Sequence, residues 1–212
     1  MTNGLLYVVS GPGASGKGTI CQAAMIKTQS PVWLSISTTT RQPRVDEVHG
    51  EHYFFVTKPE FQHMIDKGDM LEYTNFNDNY YGTPIQYFKE KLQQGVDVVL
   101  EIETDGAAQV KQRYPDIVSV FVMAPSMQAL ESRMRDRMAK GKPFDQMITD
   151  ERESAETLIR WRMQKAQDEL KLLPQYDYLI INDKLDDAVD DLLAIMRSER
   201  CSVKRSQNGY HF

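Results

Sequence analysis

The sequence predicts an α/β fold: a core of parallel strands flanked by helices, with smaller inserted pieces. Three observations predict it. The first apolar run, Leu5 to Val9, passes directly into Gly11-Pro-Gly-Ala-Ser-Gly-Lys-Gly-Thr19. Gly11, Gly16 and Lys17 thereby satisfy G-x-x-x-x-G-K between a strand and a helix, the context that gives this spacing a physical meaning. Further runs at Val96 to Ile102, Ile117 to Met123 and Tyr178 to Ile181 are nearly continuous in apolar residues, as suits strands covered on both faces. Helix-like segments separate these runs, and strands alternating with helices assemble into a parallel sheet.

The elements follow in order. Strand 5–9 leads through the glycine loop into a helix near 17–28, and Leu34 to Ser37 starts another extended piece. Thr57 and Glu60 form a T-x-x-E capping box with Pro59 in the first turn, which predicts a helix over 58–67. Thr83-Pro84 caps a second helix, and Gly95 stops it. The Tyr- and Phe-rich segments between these two helices read as small antiparallel strands. Pro125-Ser126 opens a helix near 127–138. Asp150 to Gln167 reads as a charged helix with Leu158, Ile159 and Trp161 packed inward. Leu185, Val189, Leu192 and Met196 line one face of a C-terminal helix, whose acidic start at Asp183 to Asp191 is solvated. Residues 200–212 are polar and read as a frayed tail.

Composition narrows the function. The chain has 212 residues, 41% of them hydrophobic, enough for one core. A net charge of −5 disfavours sequence-independent nucleic-acid binding, so any bound phosphate needs a local basic cluster. Cys21 and Cys201 are too isolated for a disulfide framework, and His49 and His52 lack the further ligands of a metal site. No secretory leader and no apolar stretch of about 18 residues is visible, so the expectation is a soluble cytoplasmic protein without a membrane partner.

The chemistry gathers at the strand ends. Small residues let backbone N–H groups curl around a phosphate, the following helix points its positive end there, and Lys17 adds a full charge. Ligands of parallel sheets sit at the carboxyl ends of the strands. Lys17, Glu101, Glu103 and Asn182 all follow or end strands and should share one edge. A second anion site is offered by Ser35-Ile-Ser-Thr-Thr-Thr-Arg41-Gln-Pro-Arg44, because a guanidinium presents a planar fork to phosphate oxygens. Taken alone, this segment reads equally as a surface loop with two solvated arginines. Tyr53 and Tyr81 could add phenolic donors.

With S-x-S-x-T-T-R-x-P-R at 35–44, the chain resembles guanylate kinases. E-V-H-G-E-H-Y-F-F-V at 47–56, L-E at 71–72 and N-Y-Y-G-T at 79–83 carry the same resemblance, as do E-I-x-x-x-G-A-x-Q-V at 101–110, A-x-x-E at 166–169 and Y-D-Y-L-I-I-N-D at 176–183. The matching segments run in order through nearly the whole chain, and 35–83 is the specific part. The resemblance implies a P-loop core at 1–34, 96–132 and 166–199, a GMP-binding lobe at 35–95, a mobile lid at 133–165 and a tail at 200–212. It implies ATP-dependent phosphorylation of GMP and dGMP with Mg²⁺, by a monomer or small homo-oligomer. By the same resemblance Gly11, Gly13, Ala14, Ser15, Gly16, Lys17, Gly18, Thr19 and Asn182 hold ATP. Ser37, Arg41, Arg44, Tyr53 and Tyr81 hold the GMP phosphate and its surroundings, and Glu72, Thr83 and Glu103 read guanine. Lys17, Arg41 and the lid arginines Arg133, Arg137 and Arg162 serve the transfer. Mg²⁺ is held through phosphates and water, with Thr19 or Glu101 at hand.

Guanine's N1–H and exocyclic amine are donors that suit carboxylates, and its O6 suits the hydroxyls of Ser37 and Thr83. The chain departs from the family pattern in places. Gly18 stands where Ser or Thr is usual after the lysine, Gly-Ala-Ser-Gly replaces Ser-Gly-Ala-Gly, Glu103 replaces Asp, and the lid is long, with a Gly/Pro loop at 139–143. Two other readings stay open: a sister kinase acting on another nucleoside monophosphate or a sugar phosphate, and a non-catalytic guanylate-kinase-like binding module.

Overall fold

In the computed structural model, residues 4–76, 78–139 and 149–203 are described. Strand β1 (Leu6–Ser10) runs through the glycine loop into α1 (Lys17–Lys27) and β2 (Val32–Leu34). Next come β3 (Thr38–Thr39), β4 (Phe54–Phe55), α2 (Lys58–Asp66), β5 (Met70–Phe76) and β6 (Asn79–Pro84). The chain returns through α3 (Ile85–Gln93), β7 (Asp97–Glu101), α4 (Thr104–Arg113) and β8 (Val118–Met123). It ends with α5 (Met127–Ala139), α6 (Thr149–Leu170), β9 (Tyr178–Ile181) and α7 (Leu185–Arg200).

The core sheet is parallel throughout, in the order β2-β7-β1-β8-β9. Side chains alternate across a strand, and β1 shows what that achieves. Tyr7 and Val9 pack with Ile20, Leu192 and Met196 under α1 and α7, while Leu6 and Val8 pack with Phe88 and Val110 under α3 and α4. A third cluster joins Phe121 on β8 to Leu130 and Met134 on α5 and Ile159 on α6. Both faces are covered at β1, β7 and β8, but the edge strand β9 departs from the expectation: Ile180 is buried while Leu179 and Ile181 on its other face are exposed.

The second sheet has the order β4-β3-β6-β5. It is antiparallel at β3–β6 and β5–β6 and parallel at β3–β4, so it is mixed rather than purely antiparallel. The chain crosses from one sheet to the other between β2 and β3. The extended piece expected at 34–37 is thus the link, with Ser35 N donating to Val99 O at 2.9 Å as the last rung of the core ladder.

The capping box forms as read: the Thr57 hydroxyl accepts from Glu60 N, and the Glu60 carboxylate accepts from Thr57 N at 2.7 Å. Thr83-Pro84 behaves differently. Both residues end β6, Pro84 is the N-cap of α3, and the Thr83 hydroxyl is spent elsewhere. The 150–167 segment is a helix, but its phase differs from the expectation. Ile159 is 1% exposed, whereas Leu158 and Trp161 are 38% and 48% exposed. Ile159 and Ala166, seven residues apart on one face, fill the seam, and Leu158 falls outside that stripe. The tail reading needs a shift at its start, because α7 runs to Arg200, whose Nε pairs with Asp97 Oδ2 at 2.9 Å. The lid segment at 140–143 and the tail at 204–212 lie outside the described residues.

Candidate active site

The glycine loop joins β1 to α1 at the carboxyl end of the sheet. Gly11 and Gly16 have φ of 135° and 95°, and a Cβ on either would sit 2.2 Å from Val122 O or Asn182 Nδ2. Ala14 shares this left-handed region at φ 67°, where the family pattern has glycine. An L-residue there costs about 1–2 kcal/mol, strain of the kind that collects in ligand-binding loops. Lys17 is 6% exposed and folds back on the loop, donating to Gly11 O at 2.7 Å and Pro12 O at 3.3 Å. Gly18 leaves room for a carboxylate: a Cβ there would lie 3.3 Å from Glu101 Oε2. Thr19 is exposed on α1.

Two expected site residues brace this loop. Asn182 donates through Nδ2 to Ser15 O at 2.8 Å. Arg133 donates to Asn182 O at 2.8 Å, with a longer reach of 3.5 Å to Ser15 O. Arg133 and Arg137 share a helix, yet only Arg137 lines the cleft described next.

A cleft of about 360 Å³ opens from the glycine loop to the second sheet. Ser37, Arg41, Arg44, Tyr53, Glu72 and Tyr81 form its far wall, Gly13, Glu101 and Glu103 its floor, and Arg137 and Arg162 its lid side. Of the glycine loop Gly13 reaches this space, which Ser37, Arg41 and Arg44 border from the other side. Within the far wall, Arg41 donates to Glu47 Oε1 at 2.8 Å and lies over the rings of Tyr53 and Phe55 at 5.5 and 5.9 Å. Glu47 also accepts from Arg44 N at 2.8 Å. The hydrogen bond from Arg41 leads in pulling the Glu47 carboxyl down to about 2.

The carboxylates of the cleft are tuned differently. Glu72 is 3% exposed, and burial pushes its carboxyl up to about 7 against the pull of hydrogen bonds from Thr83. Its Oε1 receives the Thr83 hydroxyl at 2.8 Å. Thr83, expected to face the guanine, thereby also holds Glu72. Burial alone would raise Glu103 as well, but Lys17, Lys165 and Arg162 together hold it below the ordinary range. The Arg162 guanidinium is pulled down, first by burial and then by the charge of Arg137, with Glu103 opposing. Its Nε is buried with no hydrogen-bond partner among the described residues.

Sequence reasoning passed over Glu47, Trp161, Lys165 and Glu169, which all line the cleft. Glu47 and Glu169 stood inside quoted motifs without a role. Trp161, Arg162, Lys165 and Glu169 form one stripe on α6, a spacing that would have flagged them together. His49 and His52 serve the loop: each accepts a backbone N–H through Nδ1, from Phe55 at 3.2 Å and Val48 at 3.1 Å.

Comparison with known proteins bears on the whole chain. Residues 3–199 match the family profile described as guanylate kinase. A guanylate kinase of Caldanaerobacter subterraneus is 42% identical, covering 98% of this chain and 93% of the relative. One of Carboxydothermus hydrogenoformans is 44% identical, covering 97% and 93%. The crystal structure of guanylate kinase from Anaplasma phagocytophilum superposes with a TM-score of 0.75 at 25% identity, covering 97% of this chain and 90% of that one. With the profile, relatives above 40% identity over nearly the full length and the fold in agreement, the chain belongs to the guanylate kinase family.

Proposed function

We propose that the protein transfers the terminal phosphoryl group of ATP to GMP, and to dGMP, in the cleft between the two sheets. The observation that carries this reading is the continuity of that cleft: Gly13 beside the glycine loop and Ser37, Arg41, Glu72 and Tyr81 of the second sheet line one space. Two nucleotide phosphates can meet there in line.

The transfer asks for alignment and positive charge more than for covalent help. The loop amides and the N-terminus of α1 take the donor phosphates. Lys17 exchanges the carbonyls of Gly11 and Pro12 for phosphate oxygens. Arg41 and Arg44 hold the acceptor phosphate, and Arg137 and Arg162 bear on the moving group from the lid side. Arg133 acts through the loop by bracing the backbone at Ser15 and Asn182. Glu72 and Glu103 accept from guanine N1–H and the exocyclic amine, and Ser37 remains for O6. Adenine would set an acceptor against a carboxylate, and unpaired buried groups of this kind give discrimination of about 10⁴-fold or more.

Among the described residues no cluster of three or more His, Cys, Asp or Glu side chains could hold a metal ion. Mg²⁺ would be carried on the phosphates, with Glu101 beside Gly18 and the Thr19 hydroxyl as oxygen donors through water. When bound, Mg²⁺ neutralises phosphate charge. No helix among the described residues is long and apolar enough to cross a membrane. We assign the protein to the cytoplasm, where both nucleotides occur, as a monomer or small homo-oligomer.

A coupled assay over GMP, dGMP, AMP, CMP and UMP tests the reading. Guanine nucleotides should lead by several orders of magnitude. Preference for another acceptor would assign a sister kinase instead, and absence of ATP binding with magnesium a binding module.

A further inference from the structure

Helix α6 turns Trp161, Arg162, Lys165 and Glu169 into the cleft. The phosphate chemistry uses Arg162 and leaves Lys165 without a task. Lys165 Nζ lies 3.1 Å from Glu103 Oε2 and 3.7 Å from Glu169 Oε1. Glu169 in turn accepts the Thr104 hydroxyl at 3.1 Å, and Thr104 is the residue after Glu103. The four side chains form a ring that starts and ends at the entry to α4. Glu103 is the N-cap of α4, yet its side chain makes no capping bond, so the helix start does not hold the carboxylate. Its other oxygen stands 4.0 Å from Lys17 Nζ.

Glu103 has one methylene more than the aspartate of the family pattern, and each added rotor must be ordered before a carboxylate can serve a rigid ring. A charge-assisted hydrogen bond from a second element is a direct way to order it. We propose that Lys165 is a positioning residue for acceptor recognition, fixing the Glu103 carboxylate of α4 from α6 so that it meets guanine. The inference rests on the reading of Glu103 as a guanine-facing group. The pair is partly solvated, with side-chain exposures of 29% for Lys165 and 44% for Glu103, so the effect should be moderate.

Four variants test it: K165M, K165R, E103Q and the double variant K165M/E103Q. K165M should raise the KM for GMP about tenfold, the loss of one such interaction. Its kcat, its KM for ATP and its melting temperature should stay near those of the parent. K165R should recover most of the GMP affinity. The double variant should bind GMP no worse than E103Q alone, because both changes remove one coupled interaction. An unchanged GMP KM in K165M beside a raised one in E103Q would overturn the role of Lys165 and leave Glu103 as a reader of the base. Unchanged GMP constants in E103Q would remove the reading of Glu103, and the inference with it. A fall in kcat or a rise in ATP KM matching the GMP effect would overturn it in favour of a role in transfer.

Discussion

Glu72 illustrates a carboxyl buried at a cost, one that the proposed contact with guanine would offset. It is 3% exposed, its described partner is Thr83, and burial raises its carboxyl from the ordinary 4.5 to about 7. A carboxyl whose folded value lies above its unfolded one makes the folded state the stronger proton binder between the two. Stability therefore falls as pH rises through that window and stays low above about 7. The shift corresponds to about 3 kcal/mol at pH 8. E72Q removes the buried charge and should stabilise the free protein by up to that amount at pH 8, with the gain shrinking towards pH 5, as read by urea unfolding at both pH values. The same variant should lose GMP binding by about a hundredfold, since a neutral amide replaces a charged acceptor. A gain over the parent that is the same at both pH values, or no gain at either, would refute the burial account. The sequence revealed Glu72, Glu103, Arg41 and Arg44 because each stands at a fixed offset in a segment whose order is itself informative. It hid the direction of the Thr83 hydroxyl and the reach of Lys165, because both depend on partners far away in the chain.

At the scale of elements, α4 and β5 are locked together. Arg113 of α4 donates to Met70 O at 2.7 Å and Leu71 O at 3.0 Å, and Gln109 donates to Tyr73 O at 2.9 Å. The approach is close enough that a Cβ on Gly106 would stand 2.5 Å from Glu72 Oε2. The atom in the way is the tip of a side chain, so G106A should leave the fold intact and displace the carboxylate instead. Its GMP KM should rise about tenfold or more while its ATP KM holds. Its melting temperature should stay near that of the parent, because the helix preference of alanine over glycine, about 1 kcal/mol, offsets the cost of moving a buried carboxylate held by Thr83. Equal losses for both nucleotides would show a wider disturbance. Helix α4 was expected only from the alternation of strands and helices, without bounds: its buried residues are Thr104, Gly106, Ala107 and Val110, too small and mixed to give an apolar stripe. Helix α2 was legible because its capping box is local. The phase of α6 was misread because Leu158, Ile159 and Trp161 offer competing apolar faces, and the partner helix α5 decides among them.

Across the whole molecule, a chain of net charge −5 brings arginines from distant segments to one cleft, where they alternate with glutamates. Arg44 comes from the loop before β4, Arg137 from α5 and Arg162 from α6, and the charges of Arg137 and Arg44 both work against that of Arg162. This convergence was only partly visible in the sequence. The arginines could be named, but their meeting depends on how α5 lies against α6, which Arg135 helps to fix by bonding both Glu131 and Glu156. Arg137 and Arg44 push against the charge of Arg162 while Glu103 draws it in, and a bound phosphate would add attraction for all three arginines. Ligand binding then stabilises the whole fold by RT ln(1 + [L]/Kd). R162A separates this from simple packing. It should lower kcat by about 10³-fold, as removal of a transfer arginine does. The free protein should melt at the parent temperature or slightly above, because one source of repulsion is gone. The rise in melting temperature on adding ATP, GMP and magnesium together should be smaller than in the parent. Turnover unchanged by R162A would take Arg162 out of the transfer. A free protein melting far lower would mean that its guanidinium holds α6 in place, and that the repulsion inferred among these arginines is outweighed by packing.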